Sequence, residues 1–188
     1  VLPLGKPVDG PVLVTGASGG VGSIAVMLLS TLGHEVVAVT GRESEQSYLE
    51  SLGASRIISR ALFEKKSRPL EKAEWAAAID VVGGQVLASV CAAICYRGAV
   101  AACGLAGGMD LPLTVAPFIL RGVSLLGVDS AMCPKEDRVE AWNRLAQLID
   151  VTRLESVVSE YPLSEAINAA HALMDGKMHG RILIRAAA

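Results

Sequence analysis

The sequence predicts an α/β protein built on a doubly wound, six-stranded parallel sheet. Three observations carry this. Val12-Leu13-Val14 runs into the glycine-dense stretch Thr15-Gly16-Ala17-Ser18-Gly19-Gly20-Val21-Gly22-Ser23, after which Ile24, Met27, Leu28 and Leu32 repeat at helical spacing. A strand, a tight turn and a helix start thus follow one another directly. Strand-like and helix-like segments then alternate six times along the chain. Several of the strand-like segments are apolar on both faces, as a parallel sheet covered by helices on both sides requires. Such a Rossmann-like sheet has the order 3-2-1-4-5-6, and its ligand crosses the carboxyl ends of the strands where that order reverses.

Taken in order, residues 1–10 are rich in Pro and Gly and read as a lead-in. The first strand is expected at 12–16 and the first helix at 20–32, ended by Gly33-His34. A second strand covers 35–40, and a helix over 43–52 stops at Gly53. Strand three is 55–59, followed by a polar loop over 61–74. Strand four is 78–82, closed by Gly83-Gly84. A helix over 85–96 leads to strand five at 98–103 and the flexible loop Gly104-Leu105-Ala106-Gly107-Gly108. A short helix at 115–121 precedes strand six at 124–128, and Pro134 opens a long amphipathic helix ending near Asp150. The remainder breaks the alternation: a strand at 154–161, a helix at 163–174 capped by Ser164, and a strand at 180–185. These two late strands are expected in a different sheet. The domain reading is a lead-in (1–10), a nucleotide-binding domain (11–150) and a C-terminal segment (151–188).

The chain has 188 residues, 52% hydrophobic and 19% charged, enough for one ordinary domain with a substantial core. Aromatic residues are only 4%, so Val, Leu, Ile and Ala must build that core. The net charge of −2 and the lack of a basic block argue against nucleic acid as a partner. No apolar run approaches the roughly 18 residues of a membrane span, and no charged-then-apolar leader opens the chain, so a cytoplasmic location is expected. The cysteines are Cys91, Cys95, Cys103 and Cys133. Cys91 and Cys95 stand one helical turn apart, but no His or acidic residue nearby completes a metal ligand set. Buried, reduced thiols are the expectation.

The glycine turn suits a pyrophosphate, because Gly16, Gly19, Gly20 and Gly22 let backbone come close and the helix start offers N–H groups and a positive dipole end. With a strand before it and a helix after it, the turn points to a dinucleotide. An acid closing the second strand selects NAD, yet counting about 20 residues from the glycines lands on Thr40-Gly41-Arg42. A guanidinium there pairs bidentately with a 2′-phosphate and favours NADP(H). Glu43 is the dissenting residue, assigned to the first turn of the next helix, where an acid suits the dipole. Arg60 closes strand three at the same rim, either as a second cation or as an ordinary surface charge. Val82-Gly83, Gly104-Leu105 and Ser130 follow strands four, five and six and are placed to border the nicotinamide. Asp80 lies inside strand four, where a carboxylate needs hydrogen-bonding partners. Tyr48, Trp75 and Trp142 are read as packing residues, and His34, His171 and His179 as turn or helix-surface residues.

Thr15-Gly16-x-x-x-Gly20-x-Gly22 also fits the turn of short-chain dehydrogenases. That family needs a Tyr-x-x-x-Lys, and the positions four after Tyr48, Tyr96 and Tyr161 hold Leu52, Val100 and Glu165. A methyltransferase is disfavoured because Arg42 stands where a ribose-binding acid is expected. The motifs Thr15–Gly22, Thr40-Gly41-Arg42, Tyr48-Leu49-x-x-Leu52-Gly53-Ala54, Ile79-Asp80-Val81-Val82-Gly83, Ala101–Gly108, Pro117–Arg121 and Gly127-Val128-Asp129-Ser130 together resemble the medium-chain dehydrogenase/reductase superfamily. The resemblance runs from Val12 to Arg185 and is strongest to the zinc-free, quinone oxidoreductase-like branch and its acrylyl-CoA reductase group.

It implies NADPH-dependent reduction of an activated C=C bond, in an enoyl-CoA, an enone or a quinone. It implies that Ser18, Gly19, Gly20 and Val21 cradle the pyrophosphate and that Thr40, Gly41, Arg42 and Arg60 hold the 2′-phosphate end. Leu105, Ile119 and Ser130 would line the nicotinamide side. It further implies a catalytic domain ahead of Val1, onto which the segment after residue 151 would pack, and a homodimer formed through strand six. The chain alone is then expected to bind NADPH weakly and turn over little. The competing reading is a non-catalytic NADP(H)-binding sensor or partner module.

Overall fold

In the computed structural model, which describes residues 8–186, six parallel strands form one sheet: β1 (Val12–Val14), β2 (Val36–Thr40), β3 (Arg56–Ser59), β4 (Trp75–Asp80), β5 (Ile94–Ala102) and β6 (Ser124–Gly127). Their order is β3-β2-β1-β4-β5-β6, as expected. Most of the lead-in lies outside the described residues. The central strands β1 and β2 are buried at every position, so side chains alternate between two apolar layers. Leu13, Val37 and Val39 pack with Val86, Val90 and Ile94 on one face. Val14, Val36 and Ala38 pack with Val26, Leu49 and Leu52 on the other.

The helices α1 (Gly20–Thr31), α2 (Gln46–Ser51), α3 (Gly84–Ala92) and α4 (Ala116–Arg121) connect these strands. Gly53 ends the α2 segment at φ +97°, the left-handed stop anticipated from sequence. The stretch 85–96 departs from expectation: α3 ends at Ala92 and β5 begins at Ile94, four residues early. Ile94 pairs with Trp75, the register then shifts, and Ala99 pairs with Ala77. The extra residues form a bulge with Arg97 at φ +63°. A Cβ on Gly98 would collide with the Ala76 carbonyl, so only glycine fits there. Cys91 and Cys95 therefore lie on different elements rather than one helical turn apart, and only Cys91 is buried. Burial and the Asp80 charge push the Cys91 thiol up to about 12.

Beyond β6, α5 (Lys135–Leu148) starts after Pro134 as expected and has no buried residue. Residues 151–155, partly assigned to a strand, instead form the short helix α6 (Val151–Glu155). Its cap is Asp150, whose carboxylate accepts the Thr152 N–H at 2.9 Å. β7 (Val158–Pro162), α7 (Ala166–Met174) and β8 (Arg181–Arg185) follow, with β7 and β8 paired in a separate two-stranded parallel sheet. Ser164 is not the cap of α7; it sits inside a single tight turn, Leu163–Glu165, that leads into that helix. The C-terminal segment packs on the main sheet's helices: Val157 is buried among Leu49 and Leu52, and Arg153 Nη2 donates to the Leu52 carbonyl at 2.6 Å.

Arg121 closes α4 against the β4–β5 bulge. Its Nη1 donates to the carbonyls of Ala92 (3.0 Å) and Ile94 (3.2 Å), and its Nη2 to that of Glu71 (2.5 Å). Arg121→Ala removes three partly buried hydrogen bonds, although the Ala92 carbonyl keeps the Glu71 N–H at 2.9 Å, and should lower unfolding free energy by about 2 kcal/mol, read as a fall in the urea midpoint at unchanged slope.

Candidate functional site

A cleft of about 1080 Å³ opens above the carboxyl ends of β1, β2 and β4, at the point where strand order reverses. One wall is the turn between β1 and α1. Gly16 takes φ +56°, and a Cβ there would meet Val81 Cγ2 at 2.5 Å. A Cβ on Gly22 would collide with the Gly16 carbonyl, so this glycine lets the helix close onto its own turn. Gly19 caps α1 and supplies no side-chain hydrogen bond. The N–H groups of the first helical turn are left to an outside acceptor. Gly20 is covered by the guanidinium of Arg181, which occupies the space a Cβ would need.

The turn is fixed from below. Thr15 Oγ1 donates to Asp80 Oδ1 at 2.6 Å and accepts from the Val81 N–H at 3.1 Å. The Gly83 N–H donates to Asp80 Oδ2 at 2.7 Å. Asp80 is fully buried, and its burial holds the carboxyl above the ordinary carboxylate range despite these bonds. The partners that its strand position demanded are therefore present.

The other wall is the rim formed by the ends of β2 and β3. The hydroxyls of Ser18 and Thr40 lie 3.4 Å apart, and Thr40 Oγ1 accepts the Arg42 N–H at 3.2 Å. Arg60 lies over Gly41, with Cζ 3.0 Å from where a Cβ would stand, and pairs with Glu64 at 2.8 Å. Arg42 is not the open fork that the sequence implied. Its Nη1 donates to the Gly176 carbonyl at 2.6 Å and its Nη2 to that of Met178 at 2.9 Å. It also faces Ser18 Oγ at 3.4 Å and Glu45 Oε1 at 3.3 Å. The guanidinium thus pins the turn after α7 to the rim, and Met174–Met178 become part of the cleft lining. Glu43 is exposed in the tight turn Glu43–Glu45, clear of the cleft.

Of the residues singled out from sequence, the cleft gathers Gly16, Ser18, Gly19, Thr40, Gly41, Arg42, Arg60 and Val82. Gly20, Val21 and Gly22 belong to the start of α1 beside it. Gly104, Leu105, Ile119 and Ser130 lie outside its lining. The loop after β5 folds back through Gly107 N–H to the Val82 carbonyl at 2.7 Å and a bridge between Gly83 and Gly108. Ala106 and Gly107 therefore meet the cleft, while Leu105 points outward at 59% exposure and Ile119 at 73%. Sequence reasoning also missed Glu45, Arg181 and the 174–178 turn. Arg181 follows a turn glycine in a strand-like run and carried no motif; Glu45 is one acid in a polar stretch.

A parallel sheet in this order, with a glycine turn at its reversal point, defines the class as a Rossmann-type nucleotide-binding domain. The chain belongs to the zinc-binding dehydrogenase family, which matches residues 20–150. It is 56% identical over 180 residues to the Escherichia coli K12 protein named probable acrylyl-CoA reductase AcuI, covering 96% of this chain and 55% of that protein. It is 48% identical to acrylyl-CoA reductase AcuI of Ruegeria pomeroyi, covering 95% and 54%. Among solved structures, the yhdH oxidoreductase of Salmonella enterica in complex with NADP superposes with a TM-score of 0.92 at 54% identity, covering 97% of this chain and 56% of that one. Bacillus subtilis yhfP with NAD bound gives 0.88 at 44% identity, covering 96% and 56%. The chain spans about half the length of the curated relatives it matches. Among its described residues, no three His, Cys, Asp or Glu side chains cluster as a metal site, and no helix is long and apolar enough to cross a membrane.

Asp80→Asn tests the brace. An amide places its NH2 against either the Thr15 hydroxyl or the Gly83 N–H, and should cost about 2 kcal/mol of stability. Because the folded carboxyl is raised above its ordinary 3.8, the native state holds more protons than the unfolded chain, so this group's contribution falls as pH rises from 3.8 through the folded value. That component should vanish in the variant, as read by urea titrations across pH.

Proposed function

We propose that the chain supplies the NADP(H)-binding half of an oxidoreductase that reduces an activated C=C bond, in an enoyl thioester, an enone or a quinone. The observation that carries the reading is the cleft itself. An uncapped, glycine-lined helix start stands at one end of it and two guanidinium groups, Arg42 and Arg60, at the other, on the rim where a ribose-binding acid would select NAD. The relatives named for acrylyl-CoA reduction and the yhdH structure holding NADP support the same reading.

The residues present fit the cofactor. The free N–H groups of Gly20, Val21 and Gly22 and the Arg181 guanidinium would take the pyrophosphate, with Ser18 and Gly19 at closest approach. Thr40, Gly41, Arg42 and Arg60 would take the adenosine 2′-phosphate. Val82 and Gly104 would turn backbone toward the nicotinamide; Leu105, Ile119 and Ser130 would border it from the exposed side. The bound cofactor supplies the hydride. The chain's part is to hold and orient it, with residues 11–150 as the binding domain and 151–188 bridging to the substrate-binding portion. The edge strand β6, paired only with β5 among the described residues, would join a second copy. The protein would act in the cytoplasm on a small-molecule substrate.

Titration of the purified protein with NADPH and NADH tests the cofactor. NADPH should bind at least about tenfold more tightly, a charge-assisted contact's worth. Arg60→Ala, which removes a half-exposed cation without touching the C-terminal turn, should remove most of that preference and leave NADH affinity within about twofold. Equal affinity for the two nucleotides in the unaltered protein would refute the assignment.

A further inference from the structure

Two groups tie the turn after α7 to the adenosine end of the cleft. Arg42 holds it through the carbonyls of Gly176 and Met178. His179 holds it through Glu45 and Tyr48. The imidazole stacks on the Tyr48 ring with centroids 4.3 Å apart, and its Nδ1 lies 3.0 Å from Glu45 Oε2. Glu45 is the buried member, at 7% exposure. Its Oε2 lacks a well-directed hydrogen bond among the described residues, so its contact with His179 is one of proximity and charge. Its Oε1 faces Arg42 at 3.3 Å. One buried carboxylate is therefore shared between a guanidinium and an imidazole.

The other titratable groups around His179 are committed. The Tyr48 hydroxyl donates to Ser23 Oγ at 2.8 Å, and burial raises its pKa. On the turn itself, Lys177 and Asp175 pair with each other at 2.8 Å. Across the rim Arg60 pairs with Glu64. The charge balance at this corner rests on Arg42, Glu45 and His179.

We infer that His179, acting through Glu45, is a positioning residue that determines specificity for a 2′-phosphorylated nucleotide. The inference rests on the NADP(H) reading above. A 2′-phosphate on Arg42 draws the guanidinium's charge away from Glu45 and sets a second anion beside a buried carboxylate, which is costly unless a cation compensates. A proton on His179 supplies that cation. Imidazole is the side chain that ordinarily changes charge between about pH 5 and 8, so phosphate binding and His179 protonation favour one another by the same factor. NADH brings no 2′-phosphate, leaves the Arg42–Glu45 pair undisturbed and carries no such linkage.

The experiment measures dissociation constants of NADPH and NADH at about pH 8, 7 and 6 for the unaltered protein, His179→Gln and Glu45→Gln. The preference for NADPH should grow about fivefold from pH 8 to pH 6 in the unaltered protein, a modest linkage for a partly exposed imidazole. Both variants should lose that growth, and in His179→Gln NADH affinity should stay within about twofold. Growth toward low pH that persists in His179→Gln belongs to another titrating group, since the phosphate's own protonation would shrink the preference, and overturns the inference. Equal weakening of both nucleotides overturns it too, since the turn would then be merely structural. A preference for NADPH that does not change with pH overturns this inference alone. No preference for NADPH at any pH overturns the cofactor reading and the inference with it.

Discussion

Where β1 and β4 run side by side, the loops that follow them must part, and the Asp80 carboxylate holds the fork. It is fully buried, an expensive position for an ionisable group unless its lone pairs are used. One oxygen takes the Thr15 hydroxyl and the other the Gly83 N–H, so the two diverging loops are fastened to the same side chain. The strand beneath is locked as well. Thr15 N–H donates to the Ile79 carbonyl at 3.0 Å, and Cys103 N–H to the Asp80 carbonyl at 2.8 Å. The crossings that follow three neighbouring strands, β1, β4 and β5, thereby start from one point.

The glycine placement follows from that fastening. With Thr15 fixed, the chain has only a few residues in which to turn and begin α1, and it does so by laying the helix against the Gly16 carbonyl at Gly22. At the second loop, Gly83 leaves β4 at φ +72°, where a Cβ would stand 2.7 Å from the Gly108 carbonyl. The loop after β5 thus lies directly on the loop after β4. The two glycine clusters serve different ends: Gly16–Gly22 bares helix N–H groups, whereas Gly83, Gly84 and Gly104 allow backbone to pack on backbone.

This division explains what the sequence disclosed and what it withheld. The alternation of strands and helices, the strand order and the glycine turn before α1 are local patterns of period and glycine spacing, and they were legible. The start of β5 was not, because Cys91, Cys95 and the alanines between them keep an apolar helical rhythm through a bulge that only tertiary pairing with Trp75 and Ala77 reveals. The loop at 104–108 could be marked as flexible, but which of its residues faces the cleft depends on its packing against Val82.

Arg42 shows most clearly where local reading stops. Its position two residues past β2 puts it at the rim of the cleft, and the structure leaves it there. Its donors, however, are shared with carbonyls 134 and 136 residues further along, and no local pattern contains that partnership. A guanidinium has five N–H donors in a fixed plane, so it can hold a backbone turn on one side while presenting charge on another; a lysine ammonium has no such second edge. The same side chain then both shapes the cleft and charges it. Docking of the C-terminal turn is thereby coupled to the electrostatics of the cleft rim, with Glu45 as the buried counter-charge beside Arg42.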